Sequence, residues 1–197
     1  MTKITNPHDK FFKEIFQDKE NVADFINGIF PVDLKENLDL KTLQLDNTTF
    51  ITEQLEEYFS DIVYTCSYKK NRITISLLFE HKSYAPAYPR LQLLRYMLNI
   101  WETNIKQKKR LAPVIPIIIY HGKEKWNNKT VSEYFIGMDK SLDRFMPCFD
   151  YLLADLSAYS DEDIKNSIFS RVSLETAFLL MKHIHDEENI KKSLEDY

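Results

Sequence analysis

The sequence predicts an α/β fold in which a mixed β-sheet is flanked by helices and followed by a C-terminal helical extension. Three observations predict it. Apolar residues recur at three- and four-residue spacing over residues 9–29. The period then changes to that of strands between Asp61 and Phe79, where β-branched and aromatic residues gather. Finally, Val114 to Tyr120 (VIPIIIY) is a continuous apolar run with the length of a buried strand.

Taken in order, Phe12, Ile15, Phe16, Val22, Phe25, Ile26 and Ile29 lie between Asn6-Pro7 and Pro31, which predicts one amphipathic helix or a broken pair. Residues 31–47 are polar with scattered leucines, a connecting segment with a short strand near Leu43 to Leu45. Asp61 to Tyr68 and Ile73 to Phe79 flank Lys69-Lys70-Asn71-Arg72 and predict a β-hairpin. Leu91 to Ile105 reads as a helix with Leu91, Leu94, Leu98 and Trp101 on one face and Tyr96 on another. Val114 to Tyr120 is the next strand, with Pro116 awkward because proline removes a ladder donor. Phe149 to Asp155 predicts a further short strand, and Ser160 to Asp163 a capping box that starts a helix. Two more helices are expected at Val172 to Ile184 and Glu187 to Tyr197, the last ending abruptly, as if the natural chain continued or a partner covered it.

Composition narrows the function classes. With 44% hydrophobic residues, 13% aromatics and three glycines among 197 residues, the chain is neither disordered nor a low-complexity linker. The polar start, Met1 to Lys10, does not read as a signal peptide, and no apolar run reaches the roughly 20 residues of a membrane span, so a cytoplasmic protein without membrane contact is expected. Cys66 and Cys148 lie too far apart to suggest a disulfide framework or a metal spacing, and both are expected to be buried thiols. A net charge of −4 argues against bulk coating of nucleic acid. Three local clusters, Lys69-Lys70-Arg72, Lys106 to Arg110 and Lys123-Lys125-Lys129, could touch phosphates, although each also fits an ordinary solvated turn.

Walker A, dinucleotide-glycine, HExxH and nucleophile-elbow patterns are all lacking. What remains is acidic. Asp61 opens the first hairpin strand and Glu80-His81-Lys82 closes the second. With Lys70-Asn71 at the centre of the turn, facing residue numbers sum to 141, so Asp61 faces Glu80. Facing residues, and residues two apart, share one side of a sheet, so Asp61, Glu80 and Lys82 are expected on a common face, with facing Cβ atoms roughly 4.5–5.5 Å apart. Carboxylates that close repel unless a proton or cation lies between them. Hard oxygen ligands without cysteine favour Mg²⁺ or Mn²⁺, ions that bind substrate phosphates. Metal-assisted phosphodiester hydrolysis is the chemistry that fits. The His81 imidazole alternates to the opposite face and is expected to be structural, and His121 a loop residue.

The spacing of Asp61 from Glu80-His81-Lys82 resembles the PD-(D/E)xK nuclease signature, with Ser60-Asp61 where the motif has Pro-Asp. The segments NPHDKFFKEIF, FSDIVY, LLFEHKSY, LQLLRYMLNIWE and PIIIYHG resemble the Rpn-type recombination-promoting nucleases and the transposase-like proteins grouped with them, over residues 6 to about 155. The resemblance implies a restriction-endonuclease-like domain over 1–157 and a helical extension over 158–197. It further implies a Mg²⁺- or Mn²⁺-dependent DNA endonuclease linked to recombination or mobile elements. Asp61 and Glu80 would be metal ligands, the backbone carbonyl of His81 a third, and Lys82 the catalytic lysine. Glu14 in the first helix and Gln92 in the helix after the motif match the accessory acidic residue and glutamine of such families. A nuclease with one site per subunit is expected to act on duplex DNA as a homodimer. The rival expectation is a DNA-binding or protein-interaction module that keeps the fold without the chemistry; a strand-transferring transposase would normally need three carboxylates in another fold.

Overall fold

The computed structural model describes residues 7–46, 62–69 and 73–183. Helix α1 (Pro7–Gln17) and helix α2 (Lys19–Ile29) form the broken pair. They part at Asp18, whose carboxylate caps α2 by accepting from the Glu20 N–H at 2.9 Å. A single turn, α3 (Val32–Lys35), leads into β1 (Leu38–Leu45). Strands β2 (Ile62–Tyr68) and β3 (Ile73–Lys82) follow, then α4 (Pro89–Lys106), β4 (Val114–Tyr120) and β5 (Leu152–Asp155). The chain then passes through a short turn, α5 (Asp161–Asp163), into α6 (Val172–His183).

The five strands lie in the order β1-β2-β3-β4-β5. β1, β2 and β3 form an antiparallel meander, while β4 runs parallel to β3 and β5 parallel to β4. The sheet is therefore mixed, as expected, because α4 carries the chain back to the start of β4. Pro116 sits one residue before the β4–β5 pairing begins at Ile117, so only β3 flanks it, a position where a sheet tolerates proline.

Alternation divides the core in two. Ile62, Tyr64, Cys66, Leu77, Phe79, Ile117 and Ile119 face α1, α2 and α6, where Phe12, Phe16, Phe25 and Phe178 are fully buried. Val63, Val114, Ile118 and Tyr120 face α4 on the other side, against Leu93, Tyr96, Met97 and Ile100. Of the two faces read from the sequence, the helix turns the one carrying Tyr96 to the sheet. Leu91 and Leu98 are exposed, because two apolar stripes run along α4 and the sheet takes the one through Tyr96.

Two further expectations change. The strand expected only near Leu43 runs from Leu38. Its register against β2 shifts between Asp39 and Gln44, which hides the alternation; there the Thr42 hydroxyl accepts from the Ser67 N–H at 2.9 Å and donates to the Asp39 carbonyl at 2.6 Å. Cys66 is buried, donating to the Asp39 carbonyl at 3.2 Å, but Cys148 is exposed because it lies in a loop beside Pro147 with no sheet to cover it. The expected last helix, Glu187 to Tyr197, lies outside the described residues. No helix among the described residues is long and apolar enough to cross a membrane.

A polar lock fixes α6. The buried Asp24 carboxylate accepts from the Ser170 N–H at 2.9 Å, the Ser170 hydroxyl at 2.6 Å and the Arg171 N–H at 3.0 Å, capping α6 from α2. Arg171 also reaches Asn21 at 2.7 Å and Asp18 at 3.0 Å. Gly28 lets α2 approach this segment, since a Cβ there would overlap the Ile168 carbonyl. Farther along, Ser160 and Asp163 form the expected capping box, and Asp161 holds the end of α6 through Lys182 at 2.6 Å and His183 at 2.8 Å.

Asp24→Ala should therefore lower unfolding free energy by about 2 kcal/mol, since it removes a buried carboxylate that accepts three hydrogen bonds from the segment leading into α6; chemical denaturation measures it. At Asp161 partial burial raises the carboxyl pKa, but the hydrogen bonds and charges of Lys182 and His183 outweigh it and hold the group below its ordinary 3.8. That pairing contributes stability at pH values above the ordinary pKa and loses it as pH falls through the folded value. Thermal melts of Asp161→Asn should accordingly show a lower Tm near neutrality and a shallower acid limb than wild type.

Candidate active site

The carboxyl ends of β3 and β4 open on the same edge of the sheet because these strands are parallel. Glu80, His81 and Lys82 lie opposite Ile118, Ile119 and Tyr120. Lys82, the last residue of β3, is buried at 5% exposure. It belongs to the α4 side of the sheet, as its register partner Tyr120 does. Its carbonyl accepts the His121 N–H at 3.0 Å, carrying the ladder one step past β4.

His81 alternates to the other side, as expected, and its imidazole is structural. The ring stacks between Phe12 of α1 (centroids 5.0 Å apart) and His121 (4.5 Å), so α1 meets the end of β3 through a three-ring column. His121 is itself buried, which makes it a packing residue of the turn and not the loose loop histidine that its position after the strand suggested.

The hairpin register is the expected one. Every pair from Ile62↔Phe79 to Tyr68↔Ile73 sums to 141. Asp61, Lys70 and Asn71 lie outside the described residues, as does the side chain of Glu80. Glu14 is exposed on α1, two residues beyond Phe12.

Gln92 lies in the first turns of α4, with Tyr96 and Asn99 at the i+4 and i+7 positions of the same stripe. Gln92 Oε1 and Asn99 Nδ2 are buried and find no hydrogen-bond partner among the described residues. Buried polar atoms are normally paired, so such a stripe marks a place where a ligand, ion or water completes the bonding.

A cleft of about 490 Å³ opens beside Lys82, lined by Ser83, Tyr84, Tyr120, Lys123 and Glu124. Its floor is rigid. The Tyr120 hydroxyl donates to the Glu124 carbonyl at 2.5 Å, the ring packs on Trp126 at 4.9 Å, and a Cβ on Gly122 would overlap that ring. Burial, with Asp155 and Glu124 nearby, pushes the Tyr120 phenol up against the opposing hydrogen bond, so it stays a donor at neutral pH. Tyr84 and Lys123 stand exposed at the rim. Sequence spacing singled out Lys123 but neither tyrosine, because the cleft exists only where two strand ends meet.

Arg90, at the start of α4, holds the wall behind this region. It is buried, donates to the carbonyls of Lys129 at 2.8 Å and Phe149, and lies over the Tyr151 ring at 5.0 Å. The loop between β4 and β5 is thereby tied to α4.

Among the described residues no group of three or more His, Cys, Asp or Glu side chains is gathered closely enough to hold a metal. Nor does any solved structure match the chain. Relatives are found by sequence. The chain is 29% identical over 195 residues to the recombination-promoting nuclease RpnD of Escherichia coli O157:H7, covering 95% of this chain and 72% of that one. It is 26% identical to RpnC of E. coli K12, covering 93% and 60% respectively. It is 28% identical to a K12 protein named as an inactive recombination-promoting nuclease-like protein, RpnE, covering 96% and 63%. A family model described as "Putative transposase, YhgA-like" matches residues 6–196, and the chain belongs to that family.

Proposed function

We propose that the chain is a metal-dependent DNA endonuclease of the PD-(D/E)xK type, on a restriction-endonuclease-like sheet, acting in the cytoplasm in recombination or mobile-element processes. The observation that carries this reading is the β2–β3 register. Asp61 directly precedes Ile62, Glu80 directly follows the paired residue Phe79, and one further step of the same pairing would set the two carboxylates face to face. The antiparallel meander, the α4 crossover and the parallel β4 support it as the framework that such a site needs. Relatives named recombination-promoting nucleases support it as well.

The donor set fits a hard divalent cation. Asp61, Glu80 and the His81 carbonyl would hold it with oxygen atoms, and the buried oxygen of Gln92 supplies an acceptor for a coordinated water. When bound, Mg²⁺ or Mn²⁺ would lower the pKa of a water and offset charge developing on the phosphate. The protein's own groups do the rest. Lys82, held by burial at the end of β3, donates to a phosphate oxygen or orients the attacking water. Lys123 at the cleft rim draws in the backbone, and Tyr84 offers a face to a base. Glu14, exposed just past the Phe12–His81 contact, is the candidate for an additional carboxylate.

A second reading, a binding module without cleavage, is favoured by one observation, the similarity to a protein named as inactive. The presence of Asp61, Glu80 and Lys82 together favours the nuclease.

Purified protein should nick plasmid DNA with Mg²⁺ or Mn²⁺ and not with EDTA, and Asp61→Ala and Lys82→Ala, once shown to be folded, should each slow nicking on the order of 100-fold or more. Inert wild type that still binds DNA would hand the lead to the binding module. Gln92→Leu separates chemistry from packing: removing an unpaired buried polar group should leave Tm unchanged or raised while nicking falls. Unchanged nicking in that variant would remove Gln92 from the site.

A further inference from the structure

Helix α4 has three faces. One packs on the sheet through Leu93, Tyr96, Met97, Ile100 and Asn104. A flanking stripe carries Gln92, Tyr96 and Asn99. The remaining face is apolar and open: Leu91 is 41% exposed, Leu98 46% and Ile105 61%, with Leu94 and Trp101 half-buried between them.

These five residues follow a strict pattern. Leu91, Leu98 and Ile105 are seven apart, and Leu94 and Trp101 lie three beyond the first two, which is the a and d spacing of a helix–helix seam. A surface helix that serves only its own core shows one apolar stripe, and α4 already spends that stripe on the sheet. Trp101 turns partly inward, packing on the core and donating its indole N–H to the Ala112 carbonyl at 2.8 Å, whereas the exposed Leu91, Leu98 and Ile105 are surplus to the fold. Their repeat of seven suits another helix of the same pitch, since a flat or irregular partner imposes no such spacing.

The flanking charges select the partner and its direction. In the register set by Leu91, the residues preceding the three a positions are Arg90, Met97 and Asn104, all buried against the protein itself. Those following each d residue are Arg95 and Glu102, both exposed, and neither has an ion pair among the described residues. A parallel pair would need both flanks, whereas an antiparallel pair brings like flanks together. With two copies of α4 antiparallel about Leu98, each Arg95 meets the other copy's Glu102, giving two opposite-charge contacts, and Leu98 lies near its own copy on the axis. We propose that this face joins two copies of the chain in an antiparallel, two-fold symmetric helix pair. Such an isologous interface is self-complementary in shape and charge. The polar stripe with Gln92 lies on another side of the helix, so pairing leaves it uncovered. A seam this short falls at the small end of specific interfaces, so the dimer should dissociate on dilution.

Sedimentation velocity over a dilution series tests it, in EDTA and without DNA. Wild type should shift from dimer to monomer on dilution, and Leu98→Glu, which sets two carboxylates near the axis, should be monomeric throughout with an unchanged Tm. Arg95→Glu and Glu102→Arg should each weaken the dimer about 5-fold or more, and the double exchange should restore it, an outcome that a general loss of folding would not produce. Wild type that is monomeric at every concentration overturns the proposal. So does a dimer indifferent to Leu98→Glu, and so does a monomer whose Tm drops in that variant, which would mean that the chain's own residues cover the face. None of these outcomes depends on whether the protein cuts DNA.

Discussion

Strand β3 is paired along both edges, antiparallel to β2 and parallel to β4, and the molecule is organised by what that double pairing forces. A strand so held cannot slip by one residue without turning every side chain to the wrong side. Leu77, Phe79 and His81 enter the phenylalanine-rich core, while Lys82 goes to the side of α4. The change from antiparallel to parallel pairing at β3 also sets the carboxyl ends of β3 and β4 side by side. The cleft beside Lys82 is a direct result.

That arrangement needs firm walls. On one side the aromatic column Phe12–His81–His121 ties α1 to the strand ends. On the other, Arg90 gathers the carbonyls of the β4–β5 loop and lies on Tyr151. The charged group of Arg90 is buried, yet its donors are spent on oxygen acceptors and its flat face on an aromatic ring, which offsets the desolvation. Farther away, Asp24 and Asn21 bind the start of α6 to α2, so Phe178 and Leu179 complete the same core as Phe12 and Phe25.

Helix α4 shows how one segment serves several ends. Its inner stripe is spent on the sheet, its flank leaves Gln92 and Asn99 with hydrogen-bonding capacity unspent among the described residues, and its outer stripe keeps apolar surface in water. Each departure from ordinary burial costs stability. Both departures on one helix are intelligible when the polar flank serves a site and the outer stripe serves a second molecule.

The order of elements and the hairpin register were legible in the sequence, because period changes are local signals and a short turn leaves one pairing. Pairs summing to 141 follow from the positions of Lys70 and Asn71 alone. The Ser160 capping box is local chemistry too, whereas apolar spacing leaves the stretch that breaks at Asp18 into α1 and α2 open between one helix and two. Other features needed the folded chain. The shifted β1 register depends on Thr42 meeting Ser67 across the sheet. Which of two apolar stripes α4 buries depends on the shape of the sheet it meets, and the exposure of Cys148 depends on what its loop lies against. The sequence by itself determined the strands, the helices and the acidic-lysine motif at the end of β3, because these depend on neighbours a few residues away. Tertiary structure alone decided the cleft, the His81 stack and the outward face of α4, because each arises where segments far apart in the chain compete for the same surface.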